Sequence, residues 1–98
     1  MTVKQKKLII ALRQYYNYLN ARFNYIALGF IEIPKKELYR MYVSRNMYRQ
    51  AFYDNIGLRD WLLKQPHDCR KKKDTTQRDK YFLAIVENLK NEILESEK

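Results

Sequence analysis

Two arginines, Arg45 and Arg49, lie on the most apolar side of a predicted helix and are the side chains best suited to chemistry. With about 100° of rotation per residue, the most apolar arc of a helix over residues 34–53 contains, in order, Tyr48, Met41, Phe52, Arg45, Leu38, Arg49 and Tyr42. A buried guanidinium without a partner costs several kcal/mol or more. Arg45 and Arg49 must therefore meet carboxylates, reach water along their stems, or face a ligand. The planar guanidinium pairs well with phosphate.

A phosphate-binding strip would extend along this helix. Its predicted phosphate contacts are Lys35, Lys36, Arg40, Arg45 and Arg49. Tyr42 and Tyr53 are the candidate stacking residues, since aromatic rings bind bases in single-stranded nucleic acid. Eight of the nine tyrosines lie between residues 15 and 53. Tyr and Arg are also common in protein interfaces, and half-buried tyrosines are ordinary core residues.

A second cationic cluster is the run Arg70, Lys71, Lys72 and Lys73, which we predict to lie on a polar loop. Lys4, Lys6 and Lys7 form a similar group near the start of the chain. Such runs are either solvated or make flexible contacts to phosphates. They would raise the affinity for nucleic acid without contributing base specificity.

The sequence gives little support for a catalytic site or a metal-binding site. His67, Asp68 and Cys69 could serve as base, acid and nucleophile, but adjacent loop residues rarely reach the required geometry. One Cys and one His cannot build a structural zinc site from these residue types. We therefore expect no enzyme activity, metal or cofactor. A lone thiol suits a reducing compartment, which favours the cytoplasm.

The charge points to an anionic partner. The net charge is +9, with +11 in residues 1–80 and −2 in residues 81–98. Such an excess attracts DNA or RNA, an anionic membrane surface, or an acidic protein. The first predicted helix is basic and amphipathic, but its broad apolar face is more simply explained as core. The most apolar region, residues 23–33, is too short to span a membrane, and the N-terminal apolar stretch is too short for a signal peptide.

The elements that position these residues are predicted to be helices. Two Gly and two Pro are too few for the many turns of a β-sandwich. Apolar residues recur at helical spacing at Leu8, Leu12, Tyr15, Leu19, Phe23 and Ile26, and again at Phe82, Ile85, Val86, Leu89 and Ile93. Gly29 suits a helix end, Pro34 a helix start, and Asp74 with Gln77 a capping pair.

We accordingly predict an all-α fold, with residues 1–98 forming a single helical domain. The expected bundle has three long helices, about 3–28, 34–53 and 75–96, and one short helix, about 58–65. The first two would form an antiparallel hairpin.

The predicted function is binding of DNA or RNA, mainly through the phosphate backbone and with little base specificity. The alternative is a helical protein–protein interaction module of the inhibitor, adaptor or immunity type, whose Tyr- and Arg-rich face meets an acidic protein. A homodimer through the second helix fits either interpretation. A helix-turn-helix over residues 43–45 is less favoured, because Met41 and Tyr42 replace the usual small residue and Gly.

Overall fold

A computed structural model describes residues 2–53 and 75–96. These residues form three helices, α1 (Val3–Ala27), α2 (Lys35–Tyr53) and α3 (Gln77–Ser96). The all-α prediction is confirmed, and the bounds agree with the predicted ones to within two residues. The predicted short helix at about 58–65 lies outside the described residues.

Both ends of α1 are set by local hydrogen bonds. At its start, the Thr2 hydroxyl accepts from the Gln5 amide while the Gln5 side chain accepts from the Thr2 amide. At its end, Gly29 has a φ of 89°, and the amides of Gly29 and Phe30 donate to the carbonyls of Ile26 and Tyr25. This is a Schellman motif, which confirms the predicted role of Gly29.

Helices α1 and α2 form the predicted antiparallel hairpin. The pairs that meet run in opposite chain directions, since Tyr48 contacts Tyr15 whereas Tyr42 contacts Phe23. Pro34 stands just before α2, and its carbonyl accepts from the amides of Glu37 and Leu38. Pro34 therefore leads directly into the first turn, as predicted.

The core is centred on α1, which packs against both α2 and α3. Five of the six residues of the predicted α1 stripe are buried, and Phe23 is half-buried. Tyr15 is fully buried, with its ring centre 4.8 Å from that of Tyr48 and 5.4 Å from that of Phe82. Val86 and Ile93 complete the core from α3. Within the described residues, α1 and not α2 is the central helix.

Helix α3 begins with a capping box built on Thr76. The Thr76 hydroxyl accepts from the Asp79 amide at 3.2 Å, and the Asp79 carboxylate accepts from the Thr76 amide at 2.8 Å. The sequence led us to expect Asp74 as the cap with Gln77 reaching back. The cap is two residues later, because Thr76 and Asp79 have the same three-residue spacing and satisfy both amides.

Candidate nucleic-acid interface on helix α2

Helix α2 buries a different side from the most apolar arc of its sequence. Among residues 35–51, whose side chains are described, the buried ones are Met41, Ser44, Tyr48 and Ala51. Of the predicted arc, Met41 and Tyr48 are buried, Leu38 and Arg45 are half-buried, and Tyr42 and Arg49 are exposed. The buried side is rotated away from the two arginines, which places Arg45 at its edge and Arg49 in solvent.

Arg45 lies between two aromatic rings. Its guanidinium carbon is 4.6 Å from the ring centre of Phe23 on α1 and 5.1 Å from that of Tyr42 on α2. The two rings are themselves 5.9 Å apart, centre to centre. A cation over a ring face is attracted by the ring's negative quadrupole. Arg45 therefore joins the two helices of the hairpin and fixes the Tyr42 ring.

The polar atoms of Arg45 meet amide oxygens. One terminal nitrogen donates to Asn20 Oδ1 at 2.9 Å, and the other makes a long bond of 3.4 Å to Asn46 Oδ1. Its Nε is buried without a hydrogen-bond partner in the described chain. No carboxylate of residues 2–53 or 75–96 forms a salt bridge with it. The positive charge of Arg45 is thus solvated by rings and dipoles.

The outward side of α2 gathers cations and rings. We call the set Lys35, Lys36, Tyr39, Arg40, Tyr42, Val43 and Arg49 the α2 strip; all are exposed except Arg40, which is half-buried. Five of these residues line a shallow surface depression: Lys35, Lys36, Tyr39, Arg40 and Val43. Tyr39, which the sequence reasoning passed over, is 68% exposed. The cations close to Tyr39 in the sequence, Lys35, Lys36 and Arg40, were the signal that could have identified it as a candidate site residue.

The structure brings three of the predicted residues together, since Lys35, Lys36 and Arg40 line one depression. Lys35, Lys36, Arg40, Arg49 and Tyr42 lie on the strip, while Arg45 supports it from beneath Tyr42. Tyr53 ends α2, but its side chain is outside the described part. The basic run 70–73 also lies outside it.

The hairpin carries a large excess of positive charge. Residues 2–53 contain ten Lys and Arg but only two acidic residues, Glu32 and Glu37. One of the ten, Arg22, is paired with Asp79 of α3, with 3.1 Å between guanidinium nitrogen and carboxylate oxygen. The acidic side chains of α3 at positions 87, 92 and 95 are exposed. A polyanion that approaches α2 therefore meets few carboxylates on the hairpin.

Asp79 is the polar centre of the fold and was not predicted from the sequence. Its carboxylate is fully buried and accepts from the Tyr15 hydroxyl at 3.0 Å, the Arg22 guanidinium at 3.1 Å, and the amide and hydroxyl of Thr76 at 2.8 and 3.0 Å. Because the Thr76 hydroxyl donates to Asp79, the Tyr18 hydroxyl at 2.8 Å must donate to Thr76. The network ties α3 to α1 and belongs to the fold, not to the α2 strip.

A second exposed group lies at the turn between α1 and α2. Leu28, Phe30 and Ile31 are 75%, 65% and 47% exposed. Phe30 stacks on Tyr25 at 4.7 Å between ring centres, which is the apolar contact that often accompanies a Schellman motif. Leu28 and Ile31 have no such local explanation.

Two other kinds of site are not seen in the part of the chain that the structure describes. There, no three His, Cys, Asp or Glu side chains form a group that could hold a metal ion. Nor does any of the three described helices combine the length and apolarity needed to cross a bilayer. Comparison with known proteins finds no match to a family model, to a curated protein or to a solved structure.

Proposed function

We propose that this protein binds DNA or RNA through the α2 strip, mainly by contacts to the phosphate backbone. The observation that carries the proposal is the composition of the strip: four cations and two tyrosines on the outward side of one helix, with half-buried Glu37 as the only acidic residue of α2. Long cationic side chains on a regular helix can follow a chain of phosphates, whose charge dominates the affinity of such complexes.

Arg45 supports this function indirectly. Its guanidinium is already engaged by Phe23, Tyr42 and Asn20. Direct phosphate contact therefore falls first to the exposed Lys35, Lys36 and Arg49, with half-buried Arg40 beside them. No carboxylate of residues 2–53 or 75–96 pairs with Arg45, so its charge adds to the potential of the strip from a side chain that is held in place. Of the predicted phosphate contacts, Arg45 is thus reassigned to holding Tyr42, and the run 70–73 would add flexible contacts.

The proposal is tested by binding of a fluorescently labelled 20-nucleotide oligonucleotide, followed by anisotropy at about 50 mM salt. We expect micromolar or tighter binding that weakens about tenfold or more for a few-fold rise in salt, because counterions are released on binding. The variant K35A/K36A/R49A should lose most of the affinity. The control R13A/R78A/K80A removes the same three charges from exposed positions outside α2 and outside the predicted phosphate contacts.

Comparison with the control shows whether the loss of affinity is specific to the charges of α2. Equal losses in the two triple variants would show that net charge alone drives binding, and the strip would be wrongly assigned. An absence of binding by the wild-type protein at micromolar concentration would overturn the proposed function.

The second candidate is a protein–protein interaction module, and the exposed turn favours it. Leu28, Phe30 and Ile31 place three large apolar side chains next to the basic start of α2, a combination that suits a partner with an acidic, partly apolar surface. Capture of the same protein partner with and without nuclease treatment, and its loss in L28S/I31S, would favour this candidate. A homodimer through α2 and a cytoplasmic location remain predictions compatible with both functions.

A further inference from the structure

We infer that the α2 strip recognises unpaired nucleic acid, with bases stacked on Tyr39 and Tyr42. This inference rests on the proposed function and specifies its ligand. It concerns the two tyrosine rings of the strip, whereas the proposed function depends on its cations.

The two rings are accessible and suitably placed along the helix. Tyr39 is 68% exposed and Tyr42 is 43% exposed. They are three residues apart, which corresponds to about 4.5 Å along the helix axis. Both rings therefore lie within about one helical turn on the exposed side of α2, where bases of one strand can reach them. In a duplex, by contrast, the faces of the bases are covered by stacking, and only their edges are available in the grooves.

Tyr42 is held in place before any ligand binds. Phe23 and the Arg45 guanidinium lie against its ring, at 5.9 Å and 5.1 Å between centres, while nearly half of the side chain remains exposed. A ring that is already fixed loses little conformational freedom when a base stacks on it. The Phe23–Arg45–Tyr42 group thus holds the Tyr42 ring in place while the residue stays partly exposed to a ligand.

Tyr39 lines a depression that combines apolar surface with positive charge. Tyr39 and Val43 supply apolar surface, and Lys35, Lys36 and Arg40 supply positive charge within the same depression. A nucleotide combines a flat, largely apolar base with a charged phosphate. Rings interleaved with cations are the usual means by which proteins bind single strands without sequence preference.

Edge recognition in a duplex fits this surface less well. Reading base edges in the major groove relies on side chains that present paired donors and acceptors, such as Arg on guanine or Asn and Gln on adenine. The centre of the strip instead presents Tyr39, Tyr42 and Val43. These side chains offer area for stacking and few groups for edge contacts.

The test compares labelled dT20 and U20 with a hairpin duplex of the same number of nucleotides, at about 50 mM salt. We expect the single strands to bind at least tenfold more tightly than the duplex. Y39A/Y42A should weaken binding of the single strands by roughly tenfold per ring, while leaving the weaker duplex binding unchanged. Y39F/Y42F keeps both rings and should retain most of the affinity. The control is Y81A, which removes a tyrosine that is 64% exposed on α3.

If Y39A/Y42A does not fold, base stacking can still be measured directly on the wild-type protein. A single strand containing 2-aminopurine reports stacking by a change in its fluorescence on binding the wild-type protein. Equal affinity for duplex and single strand, unchanged in Y39A/Y42A, would overturn the inference and leave the proposed function intact. An unchanged 2-aminopurine signal on saturation would overturn it as well. Failure of every nucleic acid to bind would instead remove the proposed function itself.

Discussion

The guanidinium carbon of Arg45 lies 4.6 Å from the ring centre of Phe23, so a cation of α2 rests on an aromatic ring of α1. The same guanidinium donates to Asn20 of α1 at 2.9 Å. Arg45 and Arg49 are alike in sequence, four residues apart in the same helix, but they have different roles. Arg45 belongs to the packing of the hairpin, whereas Arg49 is an exposed cation of the strip.

Arg45→Ala is therefore expected to destabilise the fold, and Arg49→Ala to leave it nearly unchanged. Loss of the ring contacts and of the bond to Asn20 should lower the free energy of unfolding by about 1–3 kcal/mol, measured by urea denaturation. Arg45→Lys should recover only part of this, because an ammonium lacks the planar group that stacks on rings. Equal stabilities of the Arg45→Ala and Arg49→Ala variants would contradict the assigned roles.

The second prediction concerns the salt dependence of binding. Each phosphate contact that is removed should reduce the slope of log affinity against log salt by about 0.7–0.9. Lys35→Ala together with Lys36→Ala should therefore lower the slope by roughly 1.4–1.8. Arg78→Ala with Lys80→Ala removes the same charge from α3 and should change the slope little. An unchanged slope in the α2 variant would show that these lysines do not contact phosphate.

The third prediction concerns the buried carboxylate. Asp79→Ala removes the acceptor of Tyr15, Arg22 and Thr76 together, and it leaves the Tyr15 hydroxyl buried without that partner. We expect a loss of about 2–4 kcal/mol in the free energy of unfolding, since orphaned buried polar groups are costly. Arg78→Ala, one residue away and exposed, is the matched control and should stay within about 0.5 kcal/mol of wild type.

A fourth prediction follows from the end of α1. Gly29 has a φ of 89°, and a Cβ at this position would meet no atom within 4 Å. The cost of Gly29→Ala is therefore one of backbone conformation alone, about 1–2 kcal/mol, observable as a lower Tm. Gly29→Asn should cost less, because Asn tolerates the left-handed region better. A Gly29→Ala protein as stable as wild type would mean that the turn adopts another conformation.

The helices could be predicted from the sequence because their signals are local. The apolar spacing of α1, Gly29 at its end and Pro34 before α2 each act over a few residues. The same reasoning correctly placed α3. We predicted Asp74 and not Thr76 as the cap of α3, although the spacing from Thr76 to Asp79 matches the sequence pattern of a capping box equally well.

The orientation of α2 could not be predicted, for a physical reason. Apolar side chains surround this helix nearly completely, so its periodicity does not select one side. The buried side includes Ser44, a small polar residue, and leaves Tyr39 and Tyr42 in solvent. The burial of Asp79 was equally hidden, because its partner Arg22 is 57 positions away in the sequence.

The distance along the sequence between bonded residues affects the order in which the helices can pack together. The bond between Arg45 and Asn20 spans 25 positions, whereas the bonds from Asp79 to Arg22 and Tyr15 span 57 and 64. The hairpin of α1 and α2 can therefore form its Arg45–Asn20 bond without α3. Tyr15 and Arg22 gain the Asp79 carboxylate only when α3 packs on α1, so the long-range step of assembly joins the two helices through one buried acid.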